Sequence, residues 1–144
     1  MRIKYKIIES EEELEKSRKL RHRVFVEEQG VVEDLERDLL DDKSIHVIAI
    51  LNQKVIGTGR LTLQSDKAKI SRVAVEKIYR GEGIGKKIMD KLEKIAKTKN
   101  VKEIYLSSNL QSIQFYCGIG YVEVGKTFIE CGVECQKMVK KVIS

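Results

Sequence analysis

Ile70-Ser71-Arg72-Val73-Ala74-Val75 and, four residues later, Arg80-Gly81-Glu82-Gly83-Ile84-Gly85-Lys86 form the stretch that decides the fold. The first part predicts a strand over 68–75, and the apolar residues after the glycines recur at helical spacing, which predicts a helix over 84–97. Within the strand, the alternation of apolar residues slips between Ile70 and Val73, which indicates a β-bulge. A strand, a glycine-rich turn and a helix therefore follow one another in the middle of the chain.

The glycine-rich turn has the chemistry of an anion site. Free backbone N–H groups at the start of a helix attract phosphate, and glycines let a ligand approach the backbone closely. The spacing differs from the dinucleotide-binding fingerprint, and it differs from a P-loop because no Ser or Thr follows Gly85-Lys86. The turn predicts a pyrophosphate site of another kind, with an ordinary strand-to-helix turn as the alternative.

Further strands are predicted on both sides of this centre. The segments 46–51 and 54–63 meet at Asn52-Gln53 and have the pattern of a hairpin, and a turn near 64–66 leads into the central strand. Downstream we predict a strand over 101–107, a short helix over 112–117, and last strands over 121–124 and 136–139. Strand, helix and strand in succession imply one parallel pair between antiparallel hairpins. The fold class predicted is α+β: one domain over 1–144 with a central twisted, mostly antiparallel mixed sheet flanked by helices.

The front of the chain is predicted to be helical and then acidic. Ser10-Glu11-Glu12-Glu13 reads as a capping box, so a first helix is expected from about Glu11 toward Phe25. The strongly acidic residues 27–44 predict a loop with at most a short helix.

Charge and composition limit the partners. The net charge is +6, but the segment from Glu9 to Asp42 contains 13 acidic and 6 basic residues, whereas basic residues outnumber acidic ones from Lys43 onward. This division favours two ligands of opposite sign over a nucleic-acid surface, and the absence of tryptophan disfavours base stacking. Two solvated faces without function are the alternative. We expect no nucleic-acid partner.

Membrane and metal binding are not expected either. No apolar run approaches the roughly 20 residues of a spanning helix, and MRIKYKIIES lacks the pattern of a secretory signal. The three cysteines, Cys117, Cys131 and Cys135, cannot all pair within one chain, which favours reduced thiols and a cytoplasmic location. Cys131 and Cys135 have no histidine near them in sequence, so they make a weak zinc site.

Three blocks of sequence share a further pattern. They are Ile70–Val75 with Arg80-x-x-Gly83-x-Gly85; Asn109-x-x-Ser112-x-x-Phe115-Tyr116 with Gly118-Ile119-Gly120-Tyr121; and Leu20-Arg21-x-x-Val24-Phe25-Val26-Glu27-Glu28-Gln29-Gly30 with the later His46. The first two resemble the acetyl-coenzyme A signature and the downstream motif of the GNAT superfamily of N-acetyltransferases. The third resembles a small bacterial GNAT branch whose substrates are mostly uncharacterised. The resemblance fades after Ile129, where this chain has Gly132-Val133-Glu134-Cys135.

This resemblance implies an acetyl-coenzyme A site between two splayed parallel strands, with no metal. The backbone of Val73 and Val75 would pair with the pantetheine, the turn amides would hold the pyrophosphate, and Tyr116 would protonate the leaving thiolate. The cofactor residues implied are Val73, Ala74, Val75, Arg80, Gly81, Glu82, Gly83, Ile84, Gly85, Lys86, Asn109, Ser112, Phe115 and Tyr116.

The implied reaction is acetyl transfer to a primary amine by direct attack in a ternary complex. Such a reaction needs an N–H aimed at the developing oxyanion, which the bulge near Val73 would supply, and a base for the protonated amine. Glu27, Glu28 and the carboxylates of 33–42 are all candidates for the base. If that acidic segment borders the acceptor pocket, the acceptor is a small cation such as a polyamine or an aminoglycoside.

Several alternatives stay open at this point. The chain could be a coenzyme A-binding module without turnover, or it could acetylate a protein lysine or N-terminus instead of a small molecule. A longer acyl group, the identity of the base, and a monomer or a homodimer are equally compatible with the sequence.

Overall fold

A computed structural model describes residues 2–142. One seven-stranded sheet organises the molecule, with the strand order β1-β2-β3-β4-β5-β7-β6. The strands are β1 (Lys4–Ile7), β2 (Ile45–Leu51), β3 (Lys54–Gln64), β4 (Lys67–Val75), β5 (Glu103–Asn109), β6 (Val122–Glu130) and β7 (Val133–Lys141). All neighbouring strands are antiparallel except β4 and β5, which form the predicted parallel pair. The predicted α+β class with a mixed sheet is confirmed.

The helices lie on both sides of the central strands. They are α1 (Glu11–Arg21), which continues as a π-helix (His22–Glu28), α2 (Glu33–Glu36), α3 (Ile84–Thr98) and α4 (Ile113–Gly118), with short 3-10 turns at 41–43, 77–79 and 110–112. Within residues 2–142, none of the helices is long and apolar enough to cross a membrane.

The predicted capping box forms at the start of α1. The Ser10 hydroxyl accepts from the Glu13 amide at 3.1 Å, and the Glu13 carboxylate accepts from the Glu9 amide at 2.7 Å. The helix was expected to run toward Phe25, but its α-helical part ends at Arg21 and the chain then widens into the π-helix. Such widened turns are rare, and those that occur are frequently at functional sites.

Helix α3 packs closely against the centre of β3. A Cβ atom at Gly57 would lie 2.8 Å from Ile88 Cδ1, and one at Gly59 would lie 2.8 Å from both Ile88 Cγ2 and Leu92 Cδ1. Real Cβ atoms do not approach side-chain carbons so closely, so these two glycines set the distance between helix and sheet. The main hydrophobic core fills this interface, and Ile88, Met89 and Leu92 are fully buried in it.

A buried cluster of arginines and carboxylates fixes the acidic segment to the sheet. Arg21 of α1 and Arg60 of β3 each donate to Asp41 Oδ1 at 2.9 Å, and Arg18 donates to Asp41 Oδ2 at 3.0 Å. Arg21 also donates to Glu36 Oε2 at 2.7 Å. Buried charges are tolerated only when they are paired in this way. The predicted loop over 27–44 is therefore an ordered segment that includes α2.

His46, which was grouped with the Leu20–Gly30 motif, belongs to the same buried cluster. Its Nε2 lies 2.9 Å from the carbonyl oxygen of Asp41, a distance that fits an N–H donating to that carbonyl. Burial lowers the pKa of His46. The neutral ring therefore serves as a structural tie between β2 and the acidic segment.

The two ends of the sheet differ from the predictions. The edge strand β1 was not predicted, and the last two strands are longer than expected because they form one hairpin that turns at Cys131 and Gly132, both with positive φ. All three cysteines are free in this structure: Cys117 is exposed, Cys131 is partly buried and Cys135 is buried.

Candidate active site

A cleft opens where β4 and β5 separate. The two strands pair only between Lys67–Lys69 and Glu103–Tyr105, although β4 continues to Val75 and β5 to Asn109. The separated parts enclose a cavity of about 1030 Å³ that reaches the glycine turn. The splayed parallel pair is thus present, and the cavity lies at its open end.

The predicted bulge lies on the cleft wall. Thr58 of β3 faces Ala74, whereas Arg60 faces Ser71, so Arg72 and Val73 together stand opposite a single residue of β3. Arg72 has φ 55°. A non-glycine residue in this conformation costs of the order of 1 kcal/mol, and strain of this kind accumulates at functional sites. The bulge takes the Val73 backbone out of the ladder with β3.

The glycine turn exposes backbone donors to the same cleft. Gly81 and Gly83 have φ 84° and 81°, and Gly83 is the N-cap of α3 without any side-chain cap. A Cβ at either glycine would meet nothing within 4 Å, so both backbones face open space. The N–H groups of the first helical turn have no partner within the helix. Together these groups form a nest for an anion.

Arg80, at the start of this turn, is held by two partners. Its Nη2 donates to Glu28 Oε1 at 2.8 Å, its Nη1 donates to Glu28 Oε2 at 2.5 Å, and its Nε donates to the Val75 carbonyl at 2.9 Å. The hydrogen bonds from Arg80 lower the pKa of the Glu28 carboxyl. The π-helix and the glycine turn are thereby joined at the mouth of the cleft.

Tyr116 lines the opposite wall. Helix α4 carries its ring, which packs edge-on against Phe115 and Tyr121 with centroid distances of 5.0 and 5.9 Å. Within residues 2–142 the Tyr116 hydroxyl has no hydrogen-bond partner. Desolvation raises the pKa of Tyr116 to about 12, so the phenol keeps its proton at neutral pH. Its neighbour Tyr121 is different, because its hydroxyl donates to Glu93 Oε2 at 2.8 Å.

The loop after β5 completes this wall. The Asn109 side chain caps the following turn by accepting from the Ser112 amide at 3.0 Å. The two residues were predicted to contact the cofactor; both line the cleft, and their mutual hydrogen bond fixes the entry to α4. Phe115 lies close beneath the glycine turn, with its Cζ 3.4 Å from where a Gly85 Cβ would be.

Most of the predicted cofactor residues meet in this one cleft. Ala74 and Glu82 do not line it, because the Ala74 side chain is buried beneath α1 in a second apolar cluster and Glu82 is exposed. The prediction had no signal for Tyr79 or Gln114, which also line the cleft. The remaining predicted residues on its wall are Val73, Val75, Arg80, Gly81, Gly83, Ile84, Gly85, Lys86, Asn109, Ser112, Phe115 and Tyr116.

The far side of the cleft is formed by the π-helix and the start of β7. Phe25 and Glu28 line the cleft from the π-helix and Gln29 from the residue after it, and Val133 and Glu134 line it from β7. A side chamber of about 100 Å³ continues from here between α2 and the tip of the last hairpin.

The charged residues around this side chamber are ion-paired. Arg72 Nε donates to Glu36 Oε2 at 3.0 Å, and Lys69 Nζ donates to Glu130 Oε1 at 3.1 Å. Three carboxylates of the acidic segment, those of Glu36, Asp38 and Asp41, are therefore paired with arginines. The acidic side chains that line the main cleft are Glu28 and Glu134.

Coenzyme A fits the residues that are present. Its pyrophosphate needs an anion nest without side-chain obstruction, and Gly81 and Gly83 provide one. Its pantetheine arm needs an extended backbone to pair with, and the separated part of β4 offers this. The cleft volume is of the size that buries a ligand of this class.

Comparison with known proteins agrees with this geometry. The family model described as "Acetyltransferase (GNAT) domain" matches residues 8–142. The uncharacterized N-acetyltransferase YjcF of Bacillus subtilis is 33% identical over 139 residues, covering 96% of this chain and 99% of YjcF.

Two solved structures have the same fold. The crystal structure of Escherichia coli ElaA superposes with a TM-score of 0.84 and 25% identity, covering 96% of this chain and 99% of ElaA. The PaiA N-acetyltransferase of Thermoplasma acidophilum, solved in complex with coenzyme A, superposes with a TM-score of 0.75 and 22% identity, covering 98% of this chain and 99% of that one.

Proposed function

This chain belongs to the GNAT acetyltransferase family and is an acyltransferase, and we propose that it moves an acetyl group from acetyl-coenzyme A to a primary amine by direct attack in a ternary complex. The observation that carries the proposal is the cleft between the separated strands, which joins an anion nest at one end to a protonated tyrosine hydroxyl at the other. We propose that one domain over residues 1–144 performs this transfer.

Acetyl-coenzyme A supplies the activated acetyl thioester. In our proposal the amides of the turn from Arg80 to Lys86 hold the pyrophosphate, and Val73 and Val75 align the arm through their backbones. The Val73 N–H, displaced from the ladder by the bulge, points its donor at the acetyl oxygen. The Tyr116 hydroxyl gives its proton to the departing sulfur, since its pKa of about 12 keeps it protonated at neutral pH.

We infer that the acceptor is small and cationic. The support for this is Glu134 on the cleft wall, together with Glu28, which is paired with Arg80 in this structure. The acidic segment contributes less than its composition suggests, because Glu36, Asp38 and Asp41 are all paired with arginines. An acceptor with an ammonium group would complement the two cleft carboxylates.

The free thiols of Cys117, Cys131 and Cys135 support a reducing location such as the cytoplasm. We propose that the enzyme acts there without a metal, because the polarising donor and the proton donor of the cleft are both protein groups.

Calorimetric titration with acetyl-coenzyme A tests the cofactor site. We expect saturable binding by the wild type and none by Gly83→Glu, because the new carboxylate would stand in the anion nest. Gly125→Glu is the matched control, since Gly125 also has a positive φ of 75° and open surroundings but lies on β6 outside the cleft. It should bind like the wild type. Loss of binding in both variants, or none in the wild type, would contradict the proposal.

An amine panel then tests turnover. Thiol release is followed with spermidine, kanamycin, a lysine peptide, tryptamine and β-alanine as acceptors. We expect release with the small cations. Turnover of the peptide alone would point to a protein substrate. Turnover only of tryptamine, whose single charge is on the reacting amine, or only of β-alanine would contradict a preference for acceptors with further positive charge. Binding without release from any amine would favour a coenzyme A-binding module.

A further inference from the structure

The ion pair between Arg80 and Glu28 is in an unexpected place. Arg80 begins the turn that forms the anion nest, yet both of its terminal nitrogens are bonded to a carboxylate from the other side of the cleft mouth. The Arg80 guanidinium therefore lies next to the anion nest while it is hydrogen-bonded to the Glu28 carboxylate.

This pair is inexpensive to break. The side chains of Arg80 and Glu28 are 37% and 34% exposed, and solvent screens the attraction between exposed partners. A pyrophosphate carries more charge than one carboxylate and offers bidentate geometry to a guanidinium. An anion in the nest would therefore compete well for Arg80.

The π-helix would remain in place after such an exchange. A second ion pair joins the same two regions with the opposite polarity, because Arg23 of the π-helix donates to Glu76 Oε2 at 3.0 Å. Neither Arg23 nor Glu76 lines the cleft. One pair thus fixes the π-helix to the turn while the other faces the ligand.

We propose that Arg80 and Glu28 form a cofactor-operated gate. When pyrophosphate occupies the nest, Arg80 turns to it and releases Glu28, whose carboxylate is then available to the acceptor. The proposal rests on the function proposed above. In this proposal Arg80 binds the pyrophosphate when the cofactor is present and holds the Glu28 carboxylate when it is absent.

The gate has a consequence for the order of binding. Before the cofactor binds, the Glu28 carboxylate is neutralised by Arg80, so an ammonium gains little from contacting it. After release, the carboxylate attracts the ammonium and accepts one proton from its nitrogen, which leaves the neutral amine with a free lone pair. Acetyl-coenzyme A is then expected to bind before the acceptor.

Calorimetry with coenzyme A itself tests the exchange without turnover. In Glu28→Gln, Arg80 no longer has a charged competitor, so coenzyme A should bind about two- to fivefold more tightly than to the wild type. Arg80→Gln should weaken binding about three- to tenfold. In the double variant the gain from Glu28→Gln should disappear. A structural defect would not tighten binding, which separates the gate from a purely structural pair.

Two controls sharpen the result. Glu76→Gln removes the neighbouring Arg23–Glu76 ion pair and leaves the carboxylate bonded to Arg80 in place. Because the Glu76 charge acts on Arg80 without a hydrogen bond, this variant should change the affinity for coenzyme A much less than Glu28→Gln does. Pantetheine lacks the pyrophosphate and should bind Glu28→Gln and wild type equally. Equal tightening by Glu76→Gln, or tightening with pantetheine, would overturn the gate.

Carboxyl NMR of Glu28 follows the release directly. Arg80 lowers the pKa of this group, so saturation with coenzyme A should raise it toward its ordinary value, and Arg80→Gln should have the raised pKa from the outset. An unchanged pKa with coenzyme A bound would overturn the gate alone. Failure of the wild type to bind coenzyme A would instead overturn the proposed function.

Discussion

The Tyr116 hydroxyl lies in the cleft with its proton intact and with no partner among the residues described. The neighbouring Tyr121 has the same chemistry but is committed to Glu93, and Lys140 donates to the same carboxylate at 2.9 Å. A tyrosine that donates to a protein carboxylate is a structural group. A tyrosine that faces an open cleft is available to a ligand.

We predict that Tyr116→Phe lowers kcat about a hundredfold or more, because general-acid catalysis contributes factors of this size. The affinity for coenzyme A, measured by calorimetry, should change little because the ring remains. Tyr105→Phe is the matched control, since the Tyr105 hydroxyl donates to Gln64 away from the cleft. With a pKa of about 12, Tyr116 should cause no loss of rate between pH 7 and 10. A tenfold or smaller loss in Tyr116→Phe would exclude it as the proton donor.

For single residues, the sequence predicted which side chains line the cleft better than it predicted which side chains form ion pairs with each other. The residues Tyr116, Gly83 and Asn109 could be chosen because they lie in motifs that resemble those of the GNAT superfamily, and all three line the cleft. The partner of Arg80 could not be found, since Glu28 is 52 residues away and nothing local couples the two. Long-range ion pairs depend on the packing of the whole molecule.

At the scale of elements, the bulge in β4 was predictable and the π-helix was not. An odd separation between inward-facing residues is written in the sequence, and Ile70 to Val73 has it. The change from α- to π-helix after Arg21 leaves no comparable pattern, because it depends on how the π-helix packs on the sheet and pairs with the glycine turn. Edge strand β1 was missed for a similar reason, since only its pairing with β2 defines it.

The acidic segment should depend on Asp41 for its attachment. We predict that Asp41→Asn lowers the free energy of unfolding by about 3–5 kcal/mol, because it leaves Arg21 and Arg60 short of a buried negative partner. Urea denaturation at pH 7 measures this loss. Asp42→Asn is the matched control, because Asp42 is the next residue in the chain and its side chain is exposed. Equal effects of the two variants would contradict the role of Asp41.

The loss of stability caused by Asp41→Asn should also depend on pH. Burial alone would raise the pKa of Asp41, but the guanidinium groups around it hold that pKa well below its ordinary value. The stability it contributes is thus fully present above the ordinary pKa of about 3.9 and is lost as pH falls through the lower, folded-state value. The stability difference between wild type and Asp41→Asn should therefore be smaller at pH 3 than at pH 7. A difference that grows on acidification would contradict this.

At the scale of the whole molecule, cofactor binding should stabilise the fold. A ligand at a hundred times its Kd adds about 2.7 kcal/mol to the free energy of unfolding. For a chain of this length we predict a rise in Tm of roughly 5–10 °C with acetyl-coenzyme A. Differential scanning fluorimetry measures it, with Gly125→Glu shifting like the wild type and Gly83→Glu not shifting. A rise in both variants would place the ligand outside the nest.

The overall charge division was visible in the sequence, but its meaning was not. The acidic front and basic back suggested two ligands of opposite sign. In the folded molecule much of the acidic segment instead faces arginines from α1, β3 and β4, and its charges attach that segment to the sheet. Charges counted along a chain therefore overstate the field that a ligand meets.

The two glycines beneath α3 limit which substitutions this sequence can accept during evolution. At Gly57 and Gly59 the first atom of any side chain would occupy the space of Ile88 or Leu92. A larger residue at either position therefore either displaces buried side chains of the helix or follows a change to a smaller helix residue, which opens a void of about a methylene or more. Both routes pass through less stable variants, so substitution at these four positions should be slower than at the exposed face of the same helix.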